Sequence, residues 1–176
     1  SAASDVYKRQ ALYGGSHNLV VHVLQGRGIT STVVGRGDHD ALRAAFTPQT
    51  KAVFLESVGN PSGDVADIAA IAALAHAQGV AVVVDNTSAT PLLIRPLEHG
   101  ADVVVHSATK YIGGHGTAMG GLIVDGGRFD WQARSDRYPQ LTHPDPAFHQ
   151  VVFTERYPDA PLVARARTVM LRNAGA

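Results

Sequence analysis

Three short stretches restrict the possible folds more than any other feature: AVFLE (residues 52–56), VAVVVD (80–85) and DVVVH (102–106). Each is apolar at successive positions. A strand with one wet face would instead alternate between apolar and polar residues. Strands that are apolar on both faces need cover on both sides, and the amphipathic segments between them can supply it. The pattern predicts an α/β fold: a mainly parallel sheet with helices on both faces. After AVFLE comes the loop SVGNPSGD, where Asp64 is placed to cap a helix over residues 66–78. That helix carries Ile68, Ile71, Leu74 and Ala75 on one stripe and stops at Gly79. GLIVDGG (121–127) predicts a further strand ending in a turn.

The two ends fit this scheme less well. SAASDVYKRQ has no apolar periodicity and does not lead naturally into ALYGG, so residues 1–10 are set aside as a non-native leader. At the other end, Leu162, Ala166, Val169 and Met170 fall on one face of a closing helix that needs a partner surface. Residues 11–176 are therefore expected to be the central part of a larger domain, truncated at both ends. The segment SDRYPQLTHPDPAFHQ (135–150), rich in proline and polar groups, is expected to be an irregular surface excursion.

Composition excludes several kinds of function. Fifteen basic residues balance fifteen acidic ones, so no global field points to nucleic acid or a membrane surface. There is no cysteine, which removes disulfides, thiolate metal sites and a cysteine nucleophile, and makes the cytoplasm the default location. The nine histidines form no H-E-x-x-H and no cluster with metal-ligand spacing, so no metal is expected. The G-x-G within GHGTAMG leads into LIV, a strand, whereas a dinucleotide fingerprint opens a helix. No Walker A loop and no G-x-S-x-G elbow is present.

The candidate chemistry lies at strand ends. Ligands on parallel sheets bind outside the carboxyl ends of the strands. There the sequence places Asn60 after the first run, Asp85 at the end of the second, and Ser107, Thr109 and Lys110 after the third. Taken alone, Asp85 also reads as a turn cap, and Lys110 as one more solvated lysine. Together they suit pyridoxal phosphate. A lysine after one strand can form a Schiff base, and an acid at the end of the preceding strand can keep the pyridine nitrogen protonated. The hydroxyls of Ser107 and Thr109 suit a phosphate.

The stretch VVVDNTSATPLLIRPLEHGADVVVHSATKYIGGHGTAMGGLIVDGG (82–127) resembles the core of the cysteine and methionine metabolism family of pyridoxal-phosphate enzymes. Within that family, ESVGNPSGDVADI and HPDPAFHQVVFTE are most similar to the sulfhydrylases that act on O-acetylhomoserine. The resemblance implies a fold type I, aspartate-aminotransferase-like large domain. It implies that Lys110 is the Schiff-base lysine and proton shuttle, and that Asp85 pairs with the pyridine nitrogen. Tyr13 would stack on the cofactor ring and assist proton transfer, and Asn60 would approach its phenolic oxygen. Ser107 and Thr109 would bind the phosphate, with Glu56 as a supporting acid. Tyr13 also reads as a core aromatic and Asn60 as a turn former.

The implied reaction is γ-replacement: sulfide or methanethiol displaces acetate from O-acetylhomoserine, giving homocysteine or methionine. The resemblance also implies a homotetramer of dimers that share active sites. Family segments that supply phosphate-binding amides, an arginine reaching the neighbouring subunit's cofactor, and the arginine gripping the substrate carboxylate have no match here; Arg165 and Arg172 do not fit that motif. The isolated chain is accordingly expected to be inactive. Two other readings stay open: cystathionine γ-synthase or methionine γ-lyase chemistry with the same cofactor, and a catalytically inert α/β binding domain.

Overall fold

In the computed structural model of the chain, which describes residues 4–9, 12–35 and 37–175, the apolar runs become neighbouring strands. The strands are β1 (Ser4–Arg9), β2 (Ile29–Val34), β3 (Thr50–Glu56), β4 (Ala81–Asp85), β5 (Val103–Ser107) and β6 (Gly121–Asp125). Their order is β2-β1-β3-β4-β5-β6, and every pairing from β2 through β5 is parallel. The chain divides into two compact units, Ser1–Leu122 and Ile123–Ala176. Only Gly121 and Leu122 of β6 fall in the first.

Among the helices of the first unit are α1 (Gly14–Asn18), α2 (His39–Ala45) and α3 (Ile68–Ala77). Alternation along the strands puts Val53, Leu55, Val82, Val84 and Val104 on one face. All five are buried, in one cluster with Leu42 of α2 and Ile68, Ile71, Ala72 and Ala75 of α3. On the opposite face Ala52, Phe54, Val83 and Val105 are half-buried. The far end of the sheet is tied by Asp102, which is buried. Its carboxylate accepts the Val82 N–H at 2.7 Å and meets His76 Nε2, in the last turn of α3, at 2.9 Å.

The structure differs from several local expectations. Ser4–Arg9, set aside as a leader, forms β1 and pairs with both β2 and β3. Its sequence, SDVYKR, lacks the continuous apolar run that marks β3, β4 and β5. The cap of α3 is Asp67, whose side chain accepts the Ala70 N–H at 3.0 Å, and Asp64 sits in the preceding loop. Between the two aspartates the chain is still held in non-helical contacts: Val65 bridges Val58, and the Ala66 N–H donates to the Ser57 carbonyl.

The second unit overturns two more. Residues 135–150 are irregular but not superficial: Arg137, Tyr138, Leu141, Thr142 and Asp145 are buried. Tyr138 packs edge-on against Phe129 and Trp131. In the closing helix Val169 is buried while Met170 is 60% exposed. The backbone passes from α-helix at Pro161–Arg165 to π-helix at Ala166–Leu171. The wider turn changes the period and carries Met170 off the face that 3.6-residue spacing assigns to it.

Candidate active site

Glu56, Asp85 and Ser107 end three adjacent parallel strands. Glu56 is the register partner of Asp85, and Asp85 that of Val105, two residues before Ser107. Beyond these ends lies an open cleft of about 800 Å³, lined by Tyr13, Asn60, Asp85, Ser107, Thr109 and Lys110 together with Glu56. Every residue assigned to the site from sequence therefore reaches one cleft, within the first unit. A smaller cavity of about 310 Å³, beside Val34, Leu42 and Ile71, lies against the helical face and contains none of them.

Lys110 sits in a chain reversal built for close approach. Its N–H donates to the Ser107 carbonyl at 3.1 Å, and its own carbonyl accepts from Gly114 at 2.8 Å. The Gly113 N–H donates to the Ala108 carbonyl at 2.8 Å, and a Cβ on Gly113 would stand 2.8 Å from that oxygen. Gly114 and Gly116 take positive φ, at 73° and 66°. Thr109 and Gly120 close the loop: Thr109 Oγ1 accepts the Gly120 N–H at 3.0 Å and donates to the Gly120 carbonyl at 3.2 Å. The Lys110 side chain is exposed, and its amine has no hydrogen bond or ion pair among the described residues.

The acids are held differently. Glu56 is buried. Its Oε1 accepts the Tyr13 N–H at 2.7 Å and its Oε2 the Asn60 N–H at 3.0 Å. One side chain thus pins two segments far apart in sequence, the one leading into α1 and the loop that turns through a cis Asn60–Pro61 bond. Burial pushes the Glu56 carboxyl above the usual carboxylate range, with smaller upward contributions from Asp85 and Asp64, while the two backbone donors pull it partly back. Tyr13 is 55% exposed on the rim, its ring folded over Gly15, where a Cβ would come within 2.7 Å of Cε1.

Asp85 is half-buried, and its Oδ1 accepts from Thr87 twice, from the N–H at 2.9 Å and from Oγ1 at 2.5 Å. Thr87 Oγ1 in turn accepts the Ser107 N–H at 2.8 Å. The intervening Asn86 points the other way, fully buried. It accepts from Ser57 Oγ at 2.6 Å and donates to the carbonyls of Thr90 and Ile94 at 3.0 and 2.8 Å. Sequence reasoning passes over both Thr87 and Asn86. The signal for Thr87 is the D-x-T spacing after a strand, a pattern in which a side-chain carboxylate accepts the N–H two residues on; Asn86, at the middle position, has none.

A free amine, a carboxylate with one uncommitted oxygen, neighbouring hydroxyls and a rim aromatic suit a cationic heteroaromatic aldehyde that carries a phosphate. The fold and cleft define an α/β domain whose ligand site lies over the carboxyl ends of its strands. The family model for Cys/Met metabolism PLP-dependent enzymes matches residues 1–152, and the chain belongs to that family. It is 46% identical over 175 residues to a homocysteine synthase of Schizosaccharomyces pombe, covering 99% of this chain and 41% of that protein. It is 42% identical to an O-acetyl-L-homoserine sulfhydrylase of Leptospira meyeri, over 88% of this chain and 34% of that one. A solved Campylobacter jejuni structure containing N'-pyridoxyl-lysine-5'-monophosphate superposes with a TM-score of 0.90 at 36% identity, covering 100% of this chain and 43% of that one. The chain thus spans about two fifths of the length of the curated relatives it matches.

Proposed function

We propose that the chain binds pyridoxal 5'-phosphate on Lys110 and that the parent protein to which it belongs catalyses γ-replacement on O-acetyl-L-homoserine. Sulfide or methanethiol forms the new C–S bond at the γ carbon, the C–O bond to acetate breaks, and homocysteine or methionine results. The observation that carries this reading is the unpaired Lys110 amine in the same strand-end cleft as Asp85. The names of the relatives favour this chemistry over other uses of the same cofactor.

When bound, the cofactor supplies an electron sink that makes protons on the α and β carbons of an amino acid removable. The chain's own groups do the rest. Lys110 Nζ, unpaired at the cleft, would hold the aldehyde group and would be the base positioned for a substrate's α proton. Asp85 would hold the protonated ring nitrogen through its open oxygen, Tyr13 would cover the ring from the rim, Asn60 would serve its phenolic oxygen, and Ser107 and Thr109 would hold its phosphate. Glu56 holds Tyr13 and Asn60 in place through their backbone amides. We further assign a homotetramer of active-site-sharing dimers and a cytoplasmic location. No helix among the described residues is long and apolar enough to cross a membrane.

The test is to incubate the chain with pyridoxal 5'-phosphate, reduce with borohydride and locate the modified peptide by mass spectrometry. Specific labelling of Lys110, lost in Lys110→Ala, supports the assignment. Equal labelling of Lys8 and Lys51 refutes it. Acetate release from O-acetyl-L-homoserine with sulfide, compared with L-cysteine as the thiol and measured on the parent protein, then separates sulfhydrylase from cystathionine γ-synthase chemistry.

A further inference from the structure

We propose that Thr87 is a positioning residue that aims Asp85 and so sets how tightly the cleft holds a cationic ring nitrogen; the inference rests on the cofactor reading. The direction of each hydrogen bond around Thr87 is forced. The Ser107 amide can only donate, so Thr87 Oγ1 accepts from it at 2.8 Å. The single hydroxyl proton of Thr87 then goes to Asp85 Oδ1. The relay runs from the end of β5 to the end of β4, and it transmits the position of the Ser107 backbone to the Asp85 carboxylate.

Its second consequence is selective. Both donors from Thr87 converge on Oδ1, and Oδ2 has no hydrogen-bond partner among the described residues. One oxygen is anchored and the other is presented. A threonine suits this better than a serine, because β-branching restricts its χ1 and keeps the hydroxyl aimed. A mere turn would need only the Thr87 N–H on Asp85, which every non-proline residue supplies. The hydroxyl bridge to a second strand goes beyond that need.

The experiment compares wild type, Thr87→Val and Thr87→Ser for binding of pyridoxal 5'-phosphate and of its 1-deaza analogue, which has carbon in place of the ring nitrogen. Far-UV circular dichroism confirms folding, and Thr87→Ala replaces the valine variant if that one fails to fold. Losing a hydrogen bond to a charged group should weaken binding of pyridoxal 5'-phosphate roughly tenfold or more. The 1-deaza analogue should lose much less, and Thr87→Ser should restore most of the difference. Equal weakening of both compounds would mean that Thr87 only packs, and no weakening of either would mean that Asp85 is aimed without it; each overturns the proposal. If wild type binds neither compound at Lys110, the cofactor reading fails and takes this inference with it, an outcome distinct from a change confined to the variants.

Discussion

Glu56 and Asp85 are register partners at the ends of β3 and β4, and their carboxylates face different work. Glu56 is only 7% exposed and spends both oxygens on the backbone amides of Tyr13 and Asn60. Asp85 is half-buried and keeps one oxygen open to the cleft. One acid builds the rim and the other turns an oxygen to the cleft. Neighbouring strand ends give the pair this division because register brings the two carboxylates alongside one another, while burial differs between them.

The rise in the Glu56 carboxyl has a definite sign for stability. Between the ordinary glutamate value and the higher folded one, the folded chain holds a proton that the unfolded chain has lost. Stability therefore falls as pH rises through that window and is flat on either side. Glu56→Gln should remove this slope. It should also destabilise by about 1–3 kcal/mol, because an amide NH₂ would face one of the two backbone donors. Urea midpoints across acidic and neutral pH check both effects. The variant's deficit should be larger at acidic pH, and parallel curves would refute the assignment.

Asn86 is fully buried and joins Ser57 to the carbonyls of Thr90 and Ile94. It braces a turn in which Thr90 takes φ of 59°, an unfavourable value for a β-branched residue. Asn86→Ala strands the Ser57 hydroxyl and the Ile94 carbonyl and leaves the Thr90 carbonyl only the Ile94 N–H, so a loss of roughly 2–4 kcal/mol is expected. Amide exchange across residues 87–94 should accelerate together. Unchanged protection there would show that the brace is dispensable.

Gly113 is required by space. A methyl group would stand 2.8 Å from the Ala108 carbonyl that Gly113 itself hydrogen-bonds. Gly113→Ala should cost about 1–3 kcal/mol and reduce borohydride trapping at Lys110, whose turn it opens. Trapping at the wild-type rate in a folded variant would contradict this.

In the second unit Gln150 has φ of 62°, in the left-handed region. Glycine adopts that conformation freely, although it has more entropy to lose on folding. Gln150→Gly should therefore raise stability by about 0.5–1 kcal/mol, read as a higher thermal midpoint. A lower midpoint would mean that contacts of the Gln150 side chain outweigh the backbone relief.

Local pattern makes part of this molecule legible. Continuous apolar runs mark the buried strands β3, β4 and β5 to within two residues of their ends, and also β6, although Leu122, Ile123 and Val124 there are exposed. β1, whose sequence SDVYKR contains no continuous apolar run, leaves no such mark. Pattern misplaces the start of α3 because two aspartates compete for the cap, and the Val58–Val65 bridge keeps the chain extended past Asp64 and leaves the cap to Asp67. It misassigns Met170 because a change from α to π geometry alters the period on which the assignment depends.

Residue type and short-range periodicity are enough to establish which chemical groups follow which strands. They place Asn60, Asp85, Ser107, Thr109 and Lys110 in an order that parallel strands bring to one edge. The links between those groups come from the folded chain alone: Glu56 joining Tyr13 to Asn60, Thr87 carrying the Ser107 amide to Asp85, and Asn86 turning inward to hold Thr90. Hydrogen bonds act over about 3 Å. Which donor meets which acceptor is set by the register and crossover of strands distant in sequence, and no local pattern encodes it.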